Sequence, residues 1–555
     1  MFPTPDAPTH QDLISRAEAW IAQDPDPVTR VELQDLLATS TPEAVADLAD
    51  RFDGTLEFGT AGLRGEVGAG SNRMNRVVVA RAAAGLAAYV NERVASRGAA
   101  HRPSVVIGFD ARHNSDVFAR DTAEIMTAAG VDAHLLPEPL PTPVLAFVIR
   151  HLGADAGVMV TASHNPSRDN GYKVYLGDGS QIVPPADVDI VAAIGAIGRV
   201  DELPRDEGFH TLDDSVARAY VEAVAALPAE GPRDIVCAYT PLHGVGRSTV
   251  DAAVERSGFA PLHVVGAQAA PDPEFPTVAF PNPEEPGAMD LAFDLARDVG
   301  ADLVIANDPD ADRCAVGVPT ANGWRMLSGD ETGALLADFL LRRGVQGTFA
   351  TTIVSSSLLR RLAAAHDRPY VETLTGFKWI GRVEGLAFGY EEALGYAVAP
   401  NIARDKDGIS ALVRVLELAA ELKAAGRTLL DRLDEIAETY GLHATSQLSV
   451  RVDDLSLIAR AMERLRADPP AALGGLIVES IDDLATPGGP LPPTDGLRIT
   501  LSDNARVVVR PSGTEPKLKC YLEVVIPATD GVEAARISAA GRLDAIRGDL
   551  AAIVS

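Results

Sequence analysis

The chain has 555 residues, which at roughly 150 residues per domain suggests about four domains. Its hydrophobic content of 46% is ordinary for a globular protein, and no uninterrupted apolar run is long enough for a membrane span. With 78 acidic against 49 basic residues the net charge is −29, which disfavours nucleic acid and anionic membranes as partners and requires a local cluster of Arg and Lys to draw in any anionic substrate.

The first residues, Met1-Phe2-Pro3-Thr4-Pro5-Asp6, lack the basic and apolar regions of a signal peptide. Cys237, Cys314 and Cys520 are far apart and form neither a metal-type spacing nor a disulfide framework. Three buried thiols in a reducing cytoplasm are expected.

Residues up to about Asp53 read as helices, with a cap at Ser40-Thr41-Pro42-Glu43 followed by apolar Val45, Leu48 and Phe52. In Phe58-Gly59-Thr60-Ala61-Gly62-Leu63-Arg64-Gly65 the glycines let backbone approach a ligand, and Arg64 supplies a fixed cation. A helix from Arg76 to about Val94, a strand Ser104–Asp110, a helix Phe118–Ala129 and a strand Asp132–Leu136 follow, with Arg112 and His113 just past the first strand. This alternation predicts parallel sheets covered on both faces, with ligands at the carboxyl ends of the strands. Ala156–Thr161 reads as a buried strand that breaks into Ser163-His164-Asn165-Pro166, and a second strand resumes at Tyr172. A serine hydroxyl held on a tight loop past a strand end suits a nucleophile or a phosphate carrier.

A Pro/Glu-rich stretch from Ala225 to Pro232 marks a boundary, and Asp234–Tyr239 opens a second unit. Its Gly244-Val245-Gly246 lacks the third glycine of a dinucleotide fingerprint, which excludes a nicotinamide site. The strand Asp302–Asn307 ends in Asp308-Pro309-Asp310-Ala311-Asp312-Arg313. Alternate carboxylates on an extended loop favour a hard cation such as Mg²⁺. An EF-hand is excluded, because its glycine position holds Arg313 and its final glutamate position holds Pro319. A third unit begins near Gly329, with a strand Phe349–Val354 and a helix capped by Ser355-Ser356-Ser357. The adjacent carboxylates Glu391 and Glu392 can accept hydrogen bonds from vicinal hydroxyls. Arg404-Asp405-Lys406-Asp407-Gly408 leads into a helix from Ile409 to about Ala425, and a last boundary falls near Tyr440. A strand at Val507 ends in Arg510-Pro511-Ser512-Gly513-Thr514, whose hydroxyls and backbone donors make an anion nest.

Thr161-Ala162-Ser163-His164-Asn165-Pro166 followed by Asn170-Gly171-Tyr172-Lys173 resembles the phosphoserine loop of the α-D-phosphohexomutase superfamily, and the other motifs match it in the same order from about Phe58 to Lys519. The resemblance implies three related mixed-sheet α/β domains around a cleft and a smaller C-terminal α+β lid. The expected division is an N-terminal helical extension over 1–50, then domains over 51–228, 229–328, 329–440 and 441–555. It further implies a phosphate on Ser163, with His164 beside it, and one Mg²⁺ per chain on Asp308, Asp310, Asp312 and the phosphoserine. Arg64 and Arg313 would contact phosphate. Lys406 is the first candidate general base and Lys173 the second. Thr375, Gly376 and Lys378 match the sugar-contact loop, and Glu391 and Glu392 the specificity loop, where Ala393 replaces a serine of many relatives. Arg510, Ser512, Gly513 and Thr514 would grip the phosphate that is not reacting.

The Glu391-Glu392-Ala393-Leu394-Gly395-Tyr396 form resembles the branch that holds phosphopentomutases and certain bacterial phosphoglucomutases. The expected reaction interconverts α-D-glucose 1-phosphate and glucose 6-phosphate through a bisphosphorylated intermediate, with a sugar bisphosphate as candidate activator and the chain a monomer or homodimer. Mannose and pentose phosphates stay open as substrates, as does a non-catalytic sugar-phosphate sensor. A haloacid-dehalogenase-type enzyme that uses Asp308 as its nucleophile is weakened by Asp312, where that family carries Thr or Val.

Overall fold

The computed structural model describes residues 9–39, 41–56, 62–98, 101–452, 455–489, 491–512 and 517–554. It opens with the helices His10–Ile21, Pro27–Ala38 and Pro42–Arg51. Thr41 caps the third by accepting from the Ala44 N–H at 3.3 Å, while Ser40 lies outside the described residues. Trp20, Leu33, Leu48 and Phe52 bury their apolar faces against Val77, Ala80 and Ala83 of the helix Arg76–Ser96.

Among the described residues the strands form four sheets. In the first, Ala156–Val160, Ser104–Phe109, Asp132–Leu135 and His210–Thr211 run parallel, and Asp169–Leu176 and Leu63–Glu66 add antiparallel at one edge. In the second, Cys237–Thr240 lies parallel to His263–Val264 and Leu303–Ala306, and Ala315–Thr320 and Gly323–Met326 add antiparallel. In the third, Tyr370–Thr373, Thr348–Thr352 and Leu386–Glu391 are parallel and Gly395–Ala397 returns antiparallel.

The first three sheets are mixed, as the resemblance implied, with a parallel core as the alternation suggested and antiparallel strands at one edge. The reason is loop length. Residues 161–168, 307–314 and 392–394 are too few to carry a crossover, so the chain turns back beside the strand it has just left. Each turn-back holds a motif, namely the serine, the three aspartates or the glutamate pair. Each lies at the carboxyl end of a parallel strand, where open α/β sheets bind ligands. The strand after the serine begins at Asp169 rather than Tyr172, and the helix expected from Phe118 begins at Ser115.

One continuous apolar core runs from Val106 and Met159 through Tyr239 and Ile305 to Phe349 and Leu416, and so fuses the first three sheets. The fourth sheet is antiparallel, in the order Leu442–Arg451, Lys517–Ile526, Arg506–Pro511, Leu497–Leu501, Leu476–Asp483 and Ala472–Leu473. It keeps its own core with the helices Leu455–Ala467 and Val532–Val554. It meets the third sheet through a small cluster of Ile353, Val354, Leu374, Val508 and Tyr521 and through ions. Buried Glu523 accepts from Arg506 Nε (2.6 Å), Ser356 Oγ (2.7 Å) and the Ser357 N–H (2.8 Å), and lies 3.2 Å from His443 Nδ1. Arg506 also reaches Glu372 (3.3 Å) and the carbonyl of Ser355.

The cap expected of Ser355–Ser357 is therefore only partly formed. Ser357 makes no side-chain cap on the helix Leu358–Ala365, and Ser356 Oγ accepts the Leu358 N–H at 3.2 Å. The serines instead tie the third sheet to the fourth.

Burial acts to raise the pKa of Glu523, but Arg506, His443 and Ser356 on balance hold it well below the usual range. A depressed carboxyl contributes stability above its unfolded value of about 4.3, and that contribution is lost as pH falls through the folded value. Glu523→Gln should therefore destabilise the protein at neutral pH by about 3 kcal/mol, the scale of a broken buried pair. In thermal unfolding of both proteins the gap should narrow as pH falls below about 4; a gap independent of pH would remove this role.

Candidate active site

Ser163 follows the buried strand Ala156–Val160 and adopts a left-handed φ of 53°. That backbone is costly for a side chain bearing a Cβ, by about 1 kcal/mol. It is held by the Thr161 hydroxyl, which accepts the Ser163 N–H at 2.9 Å. Arg112 holds it from below. Its buried guanidinium donates to the carbonyls of Ser163 (2.6 Å), Asn165 (2.6 Å), Pro166 (2.7 Å) and Asp169 (3.2 Å). It also pairs with Asp110 at 3.3 Å and lies 4.9 Å from the centre of the Phe275 ring. The loop's carbonyls thus point at Arg112 and its hydroxyl points the other way. His113, next in sequence, is exposed and faces Glu274.

The Ser163 hydroxyl donates to Asp308 Oδ2 at 2.8 Å, across 145 residues of sequence. Asp308, Asp310 and Asp312 each offer a carboxylate oxygen, all within 4.8 Å of one another, and all three side chains are buried. The loop is a turn and not the extended segment expected. Ala311 takes φ 54° and its N–H returns to the Asp308 carbonyl at 2.9 Å, which swings the three carboxylates to one centre. Thr142 from the first unit fixes the middle one, its Oγ1 donating to Asp310 Oδ2 at 2.6 Å and its N–H to the Asp310 carbonyl at 2.9 Å. Asp310 Oδ1 and Asp312 Oδ1 are buried with no hydrogen-bond partner. Orphaned buried oxygens of this kind are costly unless a cation takes them, and an all-oxygen donor set fits Mg²⁺. Burial, then Asp310 and Asp312, raise the pKa of Asp308 well above the carboxylate range. Burial also acts upwards on Asp310, but Lys173 and Thr142 hold it far below that range.

Two lysines answer these charges. Lys173 Nζ is buried 2.7 Å from Asp310 Oδ2 and 3.2 Å from Asp312 Oδ2. Lys406 Nζ lies 3.3 Å from Asp312 Oδ2, 3.7 Å from Asp405 Oδ1 and 4.0 Å from Glu391 Oε1. Burial works to lower both ammonium pKa values, yet the carboxylates raise each above its ordinary value. Lys406 is presented by its neighbours. Tyr175 and Gln181 of the first unit each donate to Asp405 at 2.8 Å, and Tyr220 donates to Asp407 at 2.7 Å. Asp407 then caps the helix Gly408–Ala424. A Cβ at Gly408 would collide with the Arg313 carbonyl, so only glycine lets this helix start against the aspartate turn.

Arginines surround the serine. Arg64 Nη1 donates to Asn165 Oδ1 at 3.1 Å. Arg313 Nε lies 3.8 Å from Asp308 and 3.9 Å from Asp312. His164 Nδ1 is 3.2 Å from Ser163 Oγ. Burial first, then Arg313 and Arg64, push its pKa well below 6.5, so the imidazole is neutral. One expectation about the glycine-rich loop changes. Gly62, at φ 88°, is packed against the Tyr172 carbonyl of the adjacent strand, so its missing side chain serves strand packing rather than approach to a ligand. Phe58, Gly59, Thr60 and Ala61 lie outside the described residues.

Glu391 ends the strand Leu386–Glu391 and faces Lys406. Glu392, on the turn, accepts from Ser355 Oγ at 2.9 Å, and burial together with Glu391 and Asp330 pushes its pKa up to about 7. Glu392 can therefore both accept and donate near neutrality. Thr375 and Gly376 precede the short helix Phe377–Ile380, whose Phe377 ring lies 5.6 Å from Lys406 Nζ; Lys378 Nζ sits 5.7 Å over Trp379. Arg510 is the penultimate residue of the strand Arg506–Pro511 and Ser512 follows it directly, with the Ser512 N–H donating to the Lys517 carbonyl at 2.8 Å. Gly513 and Thr514 lie outside the described residues. Buried Tyr521, on the neighbouring strand, feels the charges of Glu392, Arg510 and Glu391, so this end of the fourth sheet faces the glutamate hairpin.

The sequence reading noted Arg112 without giving it a role and missed Thr142, Tyr175, Gln181 and Tyr220. Arg112 had one usable signal, its place just past a strand end; the others carry no local signature.

Two outcomes follow from this geometry. Mg²⁺ at about a hundredfold over its dissociation constant should stabilise the protein by about 2.7 kcal/mol, and Asp310→Asn should lose that increment in a thermal shift assay; an equal increment in both proteins would place the ion elsewhere. Arg112→Lys cannot serve four carbonyls, so it should cost about 2 kcal/mol in unfolding free energy and lower turnover more than it changes substrate affinity.

Family models described as phosphoglucomutase/phosphomannomutase alpha/beta/alpha domains I, II and III and C-terminal domain match residues 55–200, 218–322, 328–440 and 448–539. A protein named probable phosphomannomutase from Haemophilus influenzae is 50% identical over 459 residues, covering 81% of this chain and 93% of its own length. The phosphopentomutase of Homo sapiens is 34% identical over 563 residues, covering 92% of this chain and 90% of its own. A phosphoglucomutase of Staphylococcus aureus is 33% identical over 526 residues, covering 88% and 94%. The fold matches a crystal structure of a phosphoglucomutase/phosphomannomutase family protein from Burkholderia thailandensis with a TM-score of 0.68 at 21% identity, over 89% of this chain and 97% of that one. The chain belongs to the phosphoglucomutase/phosphomannomutase family and is a phosphomutase, an isomerase-type phosphotransferase.

Proposed function

We propose that the protein interconverts α-D-glucose 1-phosphate and glucose 6-phosphate, with Ser163 carrying the phosphoryl group between turnovers. The observation that supports this most is the hydrogen bond from the Ser163 hydroxyl to Asp308 inside the aspartate cluster. A phosphoserine there adds about −1.5 to −2 charge, and Arg64 and Arg313 stand beside it to take up that charge. Asp308, Asp310 and Asp312 together with the serine phosphate would hold one Mg²⁺, which would supply positive charge against the transferring phosphoryl oxygens and offset the carboxylate field on the lysines.

Lys406 lies between the aspartate turn and Glu391, where a sugar hydroxyl would sit, and it is our choice for moving the hydroxyl proton. Lys173 is buried under Asp310 and acts as its fixed counter-ion. Glu391 and Glu392 hold the sugar's vicinal hydroxyls, with Thr375, Gly376 and Lys378 beside them. Arg510, Ser512, Gly513 and Thr514 grip the phosphate that is not reacting. After the first transfer the bisphosphate reverses end for end, and its other phosphate returns to Ser163. The fourth unit, joined by a small apolar cluster and an ionic seam, moves to admit that reversal and to exclude water. The parts work as the division 51–228, 229–328, 329–440 and 441–555 suggests, each domain contributing one loop.

Glucose is preferred because Arg404-Asp405-Lys406-Asp407-Gly408 resembles the corresponding phosphoglucomutase motif. A mannose phosphate is the second reading, favoured by the name of the 50%-identical relative. With Mg²⁺ and a sugar bisphosphate present, glucose 1-phosphate should give the highest kcat/KM in a panel with mannose, glucosamine, ribose and deoxyribose 1-phosphates; a higher value for another sugar replaces the assignment. Ser163→Ala should abolish turnover, and the phosphoenzyme should survive hydroxylamine. Cleavage by hydroxylamine would point to an acyl phosphate on Asp308 instead.

A further inference from the structure

A cavity of about 250 Å³ opens in the seam between the third and fourth sheets. Four arginines, Arg360, Arg361, Arg498 and Arg506, line it against two carboxylates, Glu372 and Asp482. This is a concentrated positive site on a chain of net charge −29. Arg360 and Arg361 stand on the third unit's helix Leu358–Ala365, and Arg498 and Arg506 on fourth-unit strands.

The four are not equally committed. Arg506 is spent on Glu523, Glu372 and two carbonyls. Arg498 gives Nη1 to Glu372 at 2.6 Å, but its Nε is buried with no hydrogen-bond partner, the nearest carboxylate being Asp482 at 3.5 Å. Arg361 donates only to the Tyr440 carbonyl, at 2.9 Å, and Arg360 is exposed; neither has an ion-pair partner among the described residues. Tyr370 and Thr500 add hydroxyls to the same wall. Glu372 and Asp482 answer Arg498 and Arg506, but the charges of Arg360 and Arg361 on the same wall have no carboxylate against them among the described residues, and an anion between them and Arg498 would relieve their repulsion. Planar forks of N–H donors suit phosphate oxygens above other anions.

We propose that this seam cavity binds a phosphate dianion, gripped by Arg360 and Arg361 from one side and Arg498 from the other. Such an anion joins the two units at a point away from the sugar. It holds the fourth unit, and with it the Arg510 loop, in one position, and so slows turnover without competing for the active site.

The test uses the full-length protein at saturating sugar phosphate and constant ionic strength, with inorganic phosphate or glycerol 3-phosphate added. Both probes carry the dianion, and the one that acts at lower concentration tells whether free phosphate or a phosphate ester is the natural occupant. We expect kcat to fall as the probe rises, with each protein normalised to its own probe-free rate. In Arg360→Ala/Arg361→Ala the inhibition constant should rise on the order of tenfold, the scale of one lost charge-assisted contact. Arg360→Ala alone should shift it in the same direction and keeps the Arg361–Tyr440 contact. Calorimetric titration with inorganic phosphate reads the site without turnover: Arg510→Ala should retain seam binding and the double variant should lose it. Purely competitive inhibition, or equal constants in parent and double variant, would overturn the proposal.

Discussion

Three buried carboxylates and a serine hydroxyl meet in one small volume. At about 4 Å and an effective dielectric near 20, each like-charge pair costs about 4 kcal/mol, so this site exists only because cations are packed around it. Lys173 and Lys406 touch the aspartates directly, Arg313 stands behind them, Arg64 flanks the serine loop and Arg112 holds it from inside the first unit. The orphaned oxygens of Asp310 and Asp312 show that the protein's own cations do not finish the task. What is left unbalanced could be taken up by a divalent ion.

A repeated topological device delivers these charges. In each of the first three sheets a parallel strand ends in a loop too short to cross over, and the chain returns antiparallel. The serine, aspartate and glutamate loops are those returns, and they are stitched together. Arg313 bridges to Gly395, the Cys314 N–H donates to the Leu394 carbonyl at 3.0 Å, and Gly408 starts its helix against the Arg313 carbonyl. Tyr175 and Tyr220 bolt the aspartates around Lys406 to the first unit. A rigid, continuous apolar core behind the loops preserves this geometry.

The fourth unit is attached differently. Its own core faces inward, and its contact with the third is a small apolar cluster flanked by Glu523, Arg506, Glu372 and Arg498. Polar seams of this kind permit relative motion more readily than a shared core does. The Ser355–Ser357 turn touches both sides, giving Ser355 Oγ to Glu392 and the next two residues to Glu523. The position of the fourth unit is thereby linked to a carboxylate of the glutamate hairpin.

The sequence by itself determined the α/β class and the motifs whose signals are local: a serine past a strand end, aspartates at alternate positions and a glutamate pair on a turn. What those residue types can do follows from type and spacing, which a single segment carries, whereas the role expected of Lys406 came from the resemblance of its motif to the family's. Tertiary structure decided the contacts by which the loops meet, that the aspartate loop is a turn, and that Gly62 serves a neighbouring strand. It alone showed that Arg112 and Thr142 position the serine and Asp310. Those residues act through partners far away in the chain, and a long-range contact leaves no periodicity or composition at either end from which it could be read.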